Sequence, residues 1–307
     1  MTSQPATSFP PLGPHAQGHP LETAGQKSAL VEGDAIVEVK DLTLRFGGLT
    51  SLAGLSLNQR RGELLAVIGP NGAGKTSLFN CLTGVYVPQE GSIVFHSSRG
   101  RSVPIAPARG RLPWQRAKPH RVNRAGIART FQTSRLFNAL STFDNVKVAV
   151  ESRQRTGPVG AMLRLPRARR EERESDARAK ELLEFVGLAK RSDAVASSLP
   201  YGDRRRLEIA RALGTKPELL LLDEPAAGTN PSEKRGLAQL IQRVNSDLGV
   251  SVLLIEHDMG LVMSVAERIV VLNFGRVIAA GTPREVQDDS AVVEAYLGHR
   301  RSGAAGS

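Results

Sequence analysis

The stretch ELLAVIGPNGAGKTSLFNCLTG, Glu63 to Gly84, limits what this chain can fold into more than any other part of it. An unbroken apolar run enters a glycine-rich turn directly, and the residues after the turn have helical spacing up to a stop at Gly84. The spacing predicts a buried strand, a tight loop and a helix. The loop residues Gly69, Pro70, Asn71, Gly72, Ala73, Gly74, Lys75 and Thr76 fit G-x-x-x-x-G-K-[ST] in that strand–turn–helix setting. Glycines let the backbone wrap closely around phosphates with successive N–H groups pointing inward, and the helix start adds its positive end. Lys75 is expected to neutralise the β and γ phosphates and Thr76 to ligate Mg²⁺, with Ser77 beside it as a further nucleotide contact. An ordinary glycine-rich turn needs no such order.

Two more apolar strands carry polar residues where they end. ELLLLDEP reads as a central parallel strand buried on both faces. Asp223 and Glu224 leave its carboxyl end, where open α/β sheets place ligands. Asp223 is expected to hold Mg²⁺ through water, and Glu224 to orient and deprotonate an attacking water. GVSVLLIEHD repeats the pattern and ends on His257. That histidine either reaches a γ-phosphate or is satisfied within the core. IVEVKDLTLRF reads as one or two strands, and RIVVLNFGRVIAAG as a hairpin turning at Phe274 and Gly275. Thr142 to Gly187 reads as mostly helical, with Ala179, Leu182, Leu183 and Val186 on one face and Gly187 as the stop. The expected class is an α/β core interrupted by a helical insert.

Residues 1–33 are rich in Pro, Gly, Ser, Thr and Ala without periodicity, and read as a disordered tail. Residues 299–307 read as a second tail. No apolar run approaches a membrane span, and the first twenty residues lack the pattern of a secretory signal. The single cysteine, Cys81, fits a reducing compartment. The net charge of +11 is concentrated: no acid falls between Glu90 and Asp144, where Arg99, Arg101, Arg109, Arg111, Arg116, Lys118, Arg121, Arg124, Arg129 and Arg135 all lie. Residues 97–124 read as an irregular basic insertion. It is either a solvated loop or a surface for anionic headgroups or nucleic acid. Trp114 is the one aromatic among the densest arginines, which argues against base stacking.

Taken together, the phosphate loop, Gln132 in RTFQTSRLF, the segment from Leu199, LLLLDEP, AAGTN and His257 resemble, in content and order, the ATP-binding subunits of ATP-binding-cassette (ABC) transporters. The resemblance runs from about Ile36 to Leu297. GIARTFQ, RRRLEIARAL, DEPAAGTNP, LLIEHDM and VVEAYLG narrow it to the ATPases of branched-chain amino acid importers. It implies an ABC ATPase domain at about 34–298, built as a P-loop NTPase (RecA-like) α/β core with an antiparallel β subdomain and an inserted helical subdomain at about 133–200. It implies ATP and Mg²⁺ as ligands and ATP hydrolysis as the activity, with Lys75, Glu224 and His257 catalytic. Phe46 matches the aromatic that stacks on adenine, and Gln132 joins Thr76 and Asp223 at the metal. Asn230 matches a loop that meets the opposite monomer.

In this family a Leu-Ser-Gly-Gly-Gln segment at a helix start clamps the γ-phosphate of ATP held by a second subunit. Here the positions are Leu199, Pro200, Tyr201, Gly202 and Asp203. Gly202 keeps an N–H at the helix end. Pro200 removes a hydroxyl and an N–H donor, and Asp203 brings an anion that Arg204, Arg205 and Arg206 are expected to offset in part. The implied partners are a second ABC ATPase, with a heterodimer favoured, membrane permease subunits and, indirectly, a solute-binding protein; the chain itself is expected to be peripheral at the cytoplasmic face of a bacterial inner membrane. The resemblance also reaches importers of other small amides and a branch that exports lipopolysaccharide. A soluble nucleic-acid-associated ABC ATPase fits poorly, because the chain has one phosphate loop and no extended heptads.

Overall fold

The computed structural model describes residues 34–98, 100, 102–106, 118–130, 136–154 and 166–301, with backbone alone for Pro166 and residues 297–301. The expected N-terminal tail therefore lies outside the described residues, as do Gln132, Trp114 and much of the basic insertion.

The strands are β1 (Ala35–Phe46), β2 (Leu49–Arg60), β3 (Leu64–Ile68), β4 (Glu90–His96), β5 (Ser102–Ala106), β6 (Ile127–Arg129), β7 (Leu219–Asp223), β8 (Ser251–Ile255), β9 (Arg268–Asn273) and β10 (Arg276–Gly281). The helices are α1 (Lys75–Leu82), α2 (Pro119–Ala125), α3 (Thr142–Glu151), α4 (Pro166–Phe185), α5 (Tyr201–Gly214), α6 (Pro231–Ser246), α7 (Met259–Val265), α8 (Pro283–Asp288) and α9 (Ser290–Arg301). One sheet is antiparallel, in the order β2-β1-β4-β5. The other has the order β10-β9-β3-β8-β7-β6, parallel except for β10.

Side chains alternate across a strand, and this decides where the core lies. Leu64, Ala66 and Ile68 of β3, Leu220 and Leu222 of β7, and Val252 and Leu254 of β8 pack with the helical side of the molecule. Leu65 and Val67, Leu219 and Leu221, and Leu253 and Ile255 face the opposite way, into a second core shared with β1, β2, β4 and α1. Both faces of the central strands are thus covered, which is why their sequences run apolar without alternation. Cys81 lies in the second core, where burial pushes its thiol up to about 12.

IVEVKDLTLRF is one strand. It pairs with β2 on one side and β4 on the other. The closing hairpin turns at Phe274 (φ 45°) and Gly275 (φ 75°), the left-handed pair that a tight two-residue β-turn requires. A Cβ on Gly275 would sit 2.5 Å from the Ser51 carbonyl oxygen, so close packing as well as conformation calls for glycine there. α4 ends as its sequence indicates. Gly187 adopts φ 78°, and Leu188 N–H bonds back to the Leu183 carbonyl at 2.7 Å.

Two expectations are corrected. The segment at 97–124 is not irregular throughout, since its described residues include β5 and α2. Pro104 obscured the strand, yet β5 is the edge of its sheet, where a missing N–H costs nothing. Ile105, Ala106 and Val122 anchor these pieces in the core. At the other end, α9 continues to Arg301, into the stretch read as a tail.

Candidate nucleotide site

Because β3, β7 and β8 are neighbours and parallel, their carboxyl ends form one rim. Val67 and Asp223 both stand opposite Ile255 in the register. Just beyond the rim, the phosphate loop folds under close constraint. Gly69 has φ 149°, Gly72 φ 80° and Gly74 φ 99°. A Cβ on Gly69 would lie 2.1 Å from the Leu272 carbonyl oxygen, and one on Gly74 would lie 2.7 Å from the Ser51 oxygen. The loop is closed by Ala73 N–H on the Pro70 carbonyl (3.1 Å) and Gly275 N–H on the Ala73 carbonyl (3.0 Å). Asn71, Gly72 and Thr76 are exposed, Pro70 is half-buried, and Ser77 is tied to β2 by a 2.7 Å hydroxyl contact with Ser51.

Lys75 turns back into its own loop. Its ammonium donates to the Gly69 carbonyl at 2.6 Å and to the Pro70 carbonyl at 3.0 Å, and the side chain is buried. Burial lowers its pKa, while the charges of Glu224 and Asp223 pull it back up. All three groups therefore share one electrostatic environment, in which the ammonium sits between its own loop and two carboxylates.

Asp223 is buried and already engaged. Arg129, at the end of β6, donates to its Oδ2 at 2.7 Å. The same guanidinium bonds to Asn80 Oδ1 at 2.6 Å and lies over the Phe79 ring. Glu224 follows in a left-handed backbone conformation (φ 46°) that a non-glycine residue adopts at a cost of about 1–2 kcal/mol. Its N–H is held by the Ile255 carbonyl at 2.9 Å. His257 Nδ1 lies 3.8 Å from Glu224 Oε2 and 3.7 Å from Glu256 Oε2. With 62% of its side chain exposed, His257 is not a satisfied core histidine, and that alternative is set aside. Lys75, the adjacent Asp223 and Glu224, and His257 come from three distant parts of the sequence to this rim.

Among the described residues no three His, Cys, Asp or Glu side chains could hold a metal ion by themselves. The donors present, the Thr76 hydroxyl and Asp223, suit a cation that keeps phosphate and water in most of its shell, as Mg²⁺ does. A glycine loop packed too tightly against Leu272 and Ser51 to admit side chains at Gly69 and Gly74, a buried ammonium and a helix starting at Lys75 suit a triphosphate.

Sequence reasoning missed three residues of this neighbourhood. Arg129 stood in the quoted GIARTFQ without being singled out. Glu256 is fully buried beside His257 and accepts three backbone N–H groups. Its signal was an acid at the end of a buried strand. Tyr86 meets Phe46 edge-on, with ring centroids 5.1 Å apart and both rings partly exposed, which makes a two-ring ledge on the β1–β2 side.

The segment Leu199 to Asp203 leads into α5. Leu199 is buried, Pro200 is the N-cap with no side-chain bond, and Gly202 lies in the first turn. A Cβ on Gly202 would come within 2.7 Å of Glu233 Oε1, so a larger residue there would push the Glu233 side chain aside. The Tyr201 hydroxyl donates to the Ala227 carbonyl at 2.6 Å. Asp203 pairs with Arg191 at 3.1 Å. Arg204 is turned to the Leu199 carbonyl and Arg205 to Glu208, so the direct ion pair of the acid comes from Arg191 rather than from these two. Asn230 caps α6: its side chain accepts from Ser232 and Glu233 N–H, and Glu233 bonds back to Asn230 N–H.

Beside α5 lies a groove of about 330 Å³ lined by Phe137, Val148, Ala149, Arg211 and Glu208. Arg211 stacks 4.9 Å over the Phe137 ring.

Comparison with known proteins agrees with this geometry. The ABC transporter family model matches residues 52–227, and a branched-chain amino acid ATP-binding cassette transporter model matches residues 276–301. The high-affinity branched-chain amino acid transport ATP-binding protein BraF of Pseudomonas aeruginosa is 43% identical over 86% of this chain and 98% of its own. LivG of Salmonella typhimurium, described in the same words, is 42% identical over the same shares. Among solved structures, the ADP conformation of MJ1267, an ATP-binding cassette of an ABC transporter, superposes with a TM-score of 0.70 at 27% identity, over 87% of this chain and all of that one. A nucleotide-free ATP-binding cassette gives 0.69 at 26%, over 85% and 98%. In fold and in sequence, this chain belongs to the ATP-binding subunits of ABC transporters.

Proposed function

We propose that the chain binds ATP at the rim of β3, β7 and β8 and hydrolyses it to drive import of branched-chain amino acids or closely related small amides. The convergence of Lys75, Asp223, Glu224 and His257 supports this reading most strongly. Residues 69–77 would wrap the phosphates, and Phe46 with Tyr86 would receive the adenine. Thr76 and Asp223 would hold Mg²⁺, which supplies neutralising charge at the phosphates when bound. By resemblance Gln132 belongs with them. Glu224 accepts the proton of the attacking water, and Lys75 and His257 stabilise the charge that develops on the γ-phosphoryl oxygens.

The branched-chain substrate rests on BraF and LivG, whose names carry it, and on the family model that matches the C-terminal segment. No helix among the described residues is long and apolar enough to cross a membrane. Separate permease subunits are proposed from the family, whose members are transporter ATP-binding proteins. They would hold this chain at the cytoplasmic face of the membrane. A second ABC ATPase would close over the rim. Leu199 to Asp203 would then face the partner's nucleotide, with Asn230 in the loop between the two sites. Pro200 gives no N–H and no hydroxyl, so this chain lends a weak clamp and suits a heterodimer.

The test is ATP turnover by the chain assembled with its permeases in vesicles, with leucine, isoleucine or valine supplied on the solute-binding protein. Stimulation by these three is expected. Stimulation only by chemically unrelated solutes, or ATP-driven movement outward, would overturn the assignment.

A further inference from the structure

We propose that Glu256 is the positioning residue of this site, the side chain that sets the separation of Glu224 from His257. This rests on the reading of Glu224 and His257 as the hydrolytic pair. The two side chains sit on different loops, one after β7 and one after β8, and their 3.8 Å approach depends on how those loops are joined. One join is backbone, from Glu224 N–H to the Ile255 carbonyl at 2.9 Å. The other runs through Glu256. Its Oε1 accepts from Ala226 N–H at 2.8 Å, across the gap between loops. Its Oε2 accepts from His257 N–H at 2.9 Å and Asp258 N–H at 3.2 Å, within its own loop.

A carboxylate with no exposed surface, at the end of a strand whose five residues are all buried, is costly unless its lone pairs are satisfied. Here three backbone amides converge on it. An apolar side chain would fill the space and leave those amides unpaired. Both oxygens must accept, because all three of these amides donate. Glutamine has nearly the same shape and one accepting oxygen, so in either orientation its NH₂ is set against at least one backbone N–H. Aspartate keeps the charge and can still serve His257 and Asp258, but it is one methylene short of Ala226. It therefore separates the bond between loops from the bonds within one.

The experiment uses the chain purified in complex with its transporter subunits. It measures kcat, KM and the affinity for a fluorescent ATP analogue in Glu256→Gln, Glu256→Asp and Lys75→Ala. Both Glu256 variants are expected to lose about 10- to 100-fold in kcat, the scale of a misplacement near 1 Å, while nucleotide affinity stays within about threefold. A merely structural role would lower affinity and kcat together. Either that joint loss or an aspartate variant within twofold of the parent in kcat overturns the inference. Lys75→Ala tests the underlying reading separately. It should lose nucleotide binding, and retained binding would refute the site itself whatever the Glu256 variants do.

Discussion

Replacing Arg129 by methionine tests the electrostatics of the rim apart from any catalysis. Its guanidinium and the Asp223 carboxylate are 8% and 4% exposed, and they meet at 2.7 Å. Methionine can keep much of the packing on Phe79, but it removes the cation that faces Asp223 and the 2.6 Å bond to Asn80. Breaking a buried pair by deleting one partner costs about 3–5 kcal/mol, because the other charge stays buried without compensation. The Lys75 ammonium acts on the same carboxylate and offsets part of that, so about 3 kcal/mol is expected. In a chain of this size that corresponds to a melting temperature lower by about 5 °C. Urea denaturation of the nucleotide-free protein at pH 7 measures it. Adding Asp223→Asn should recover at least half of the loss, since neither charge then remains. A loss below about 1 kcal/mol, or a double variant no more stable than the single, would refute the reasoning.

Three further outcomes follow from the same geometry. Burial lowers the Lys75 pKa and Glu224 raises it, so the ammonium loses its proton below the usual lysine range as pH rises. ATP affinity should therefore be flat near neutrality and fall on the alkaline side before pH 10.5. In Glu224→Gln the fall should begin at lower pH, because the charge that holds the proton is gone; titration of nucleotide binding from pH 7 to 10.5 shows the order. Gly69→Ala places a Cβ 2.1 Å from the Leu272 carbonyl oxygen, so the strand end or the loop must move. It should cost about 1–3 kcal/mol in urea and abolish nucleotide binding, whereas a variant that binds ATP normally would mean the loop is not held as described. Restoring donors with Pro200→Ser and Asp203→Gln should raise ATP turnover in the assembled transporter. Most of the gain should come from Pro200, since Arg191 already partners Asp203; equal turnover would count against a weakened clamp.

What could be read from the sequence depended on how local its cause was. The strand–loop–helix at the phosphate loop could be read because its glycines, its lysine and its apolar flanks are contiguous. β7 and β8 could be read because burial on both faces leaves an uninterrupted apolar run. That Asp223, Glu224 and His257 leave those strands on the same rim follows from parallel order alone. Arg129 and Glu256 were missed because their meaning lies in partners 94 and 30 residues away. The Arg191–Asp203 pair was not legible for a related reason. Arg204 to Arg206 are adjacent in sequence, yet the helix turns Arg204 and Arg205 toward other acceptors and leaves Arg191, across the fold, to meet the acid. Pro104 in β5 looks like a strand breaker in sequence, although an edge strand tolerates it; only the sheet order shows that β5 is an edge.

The central claim is that one triphosphate is bound and cleaved among Lys75, Glu224 and His257. Its most direct test is ATP binding and single-turnover hydrolysis by Glu224→Gln beside the parent. The account predicts ATP held with at least the parent's affinity and hydrolysis slowed by about 100-fold or more, within the range that a positioned general base contributes. Hydrolysis at the parental rate would contradict it.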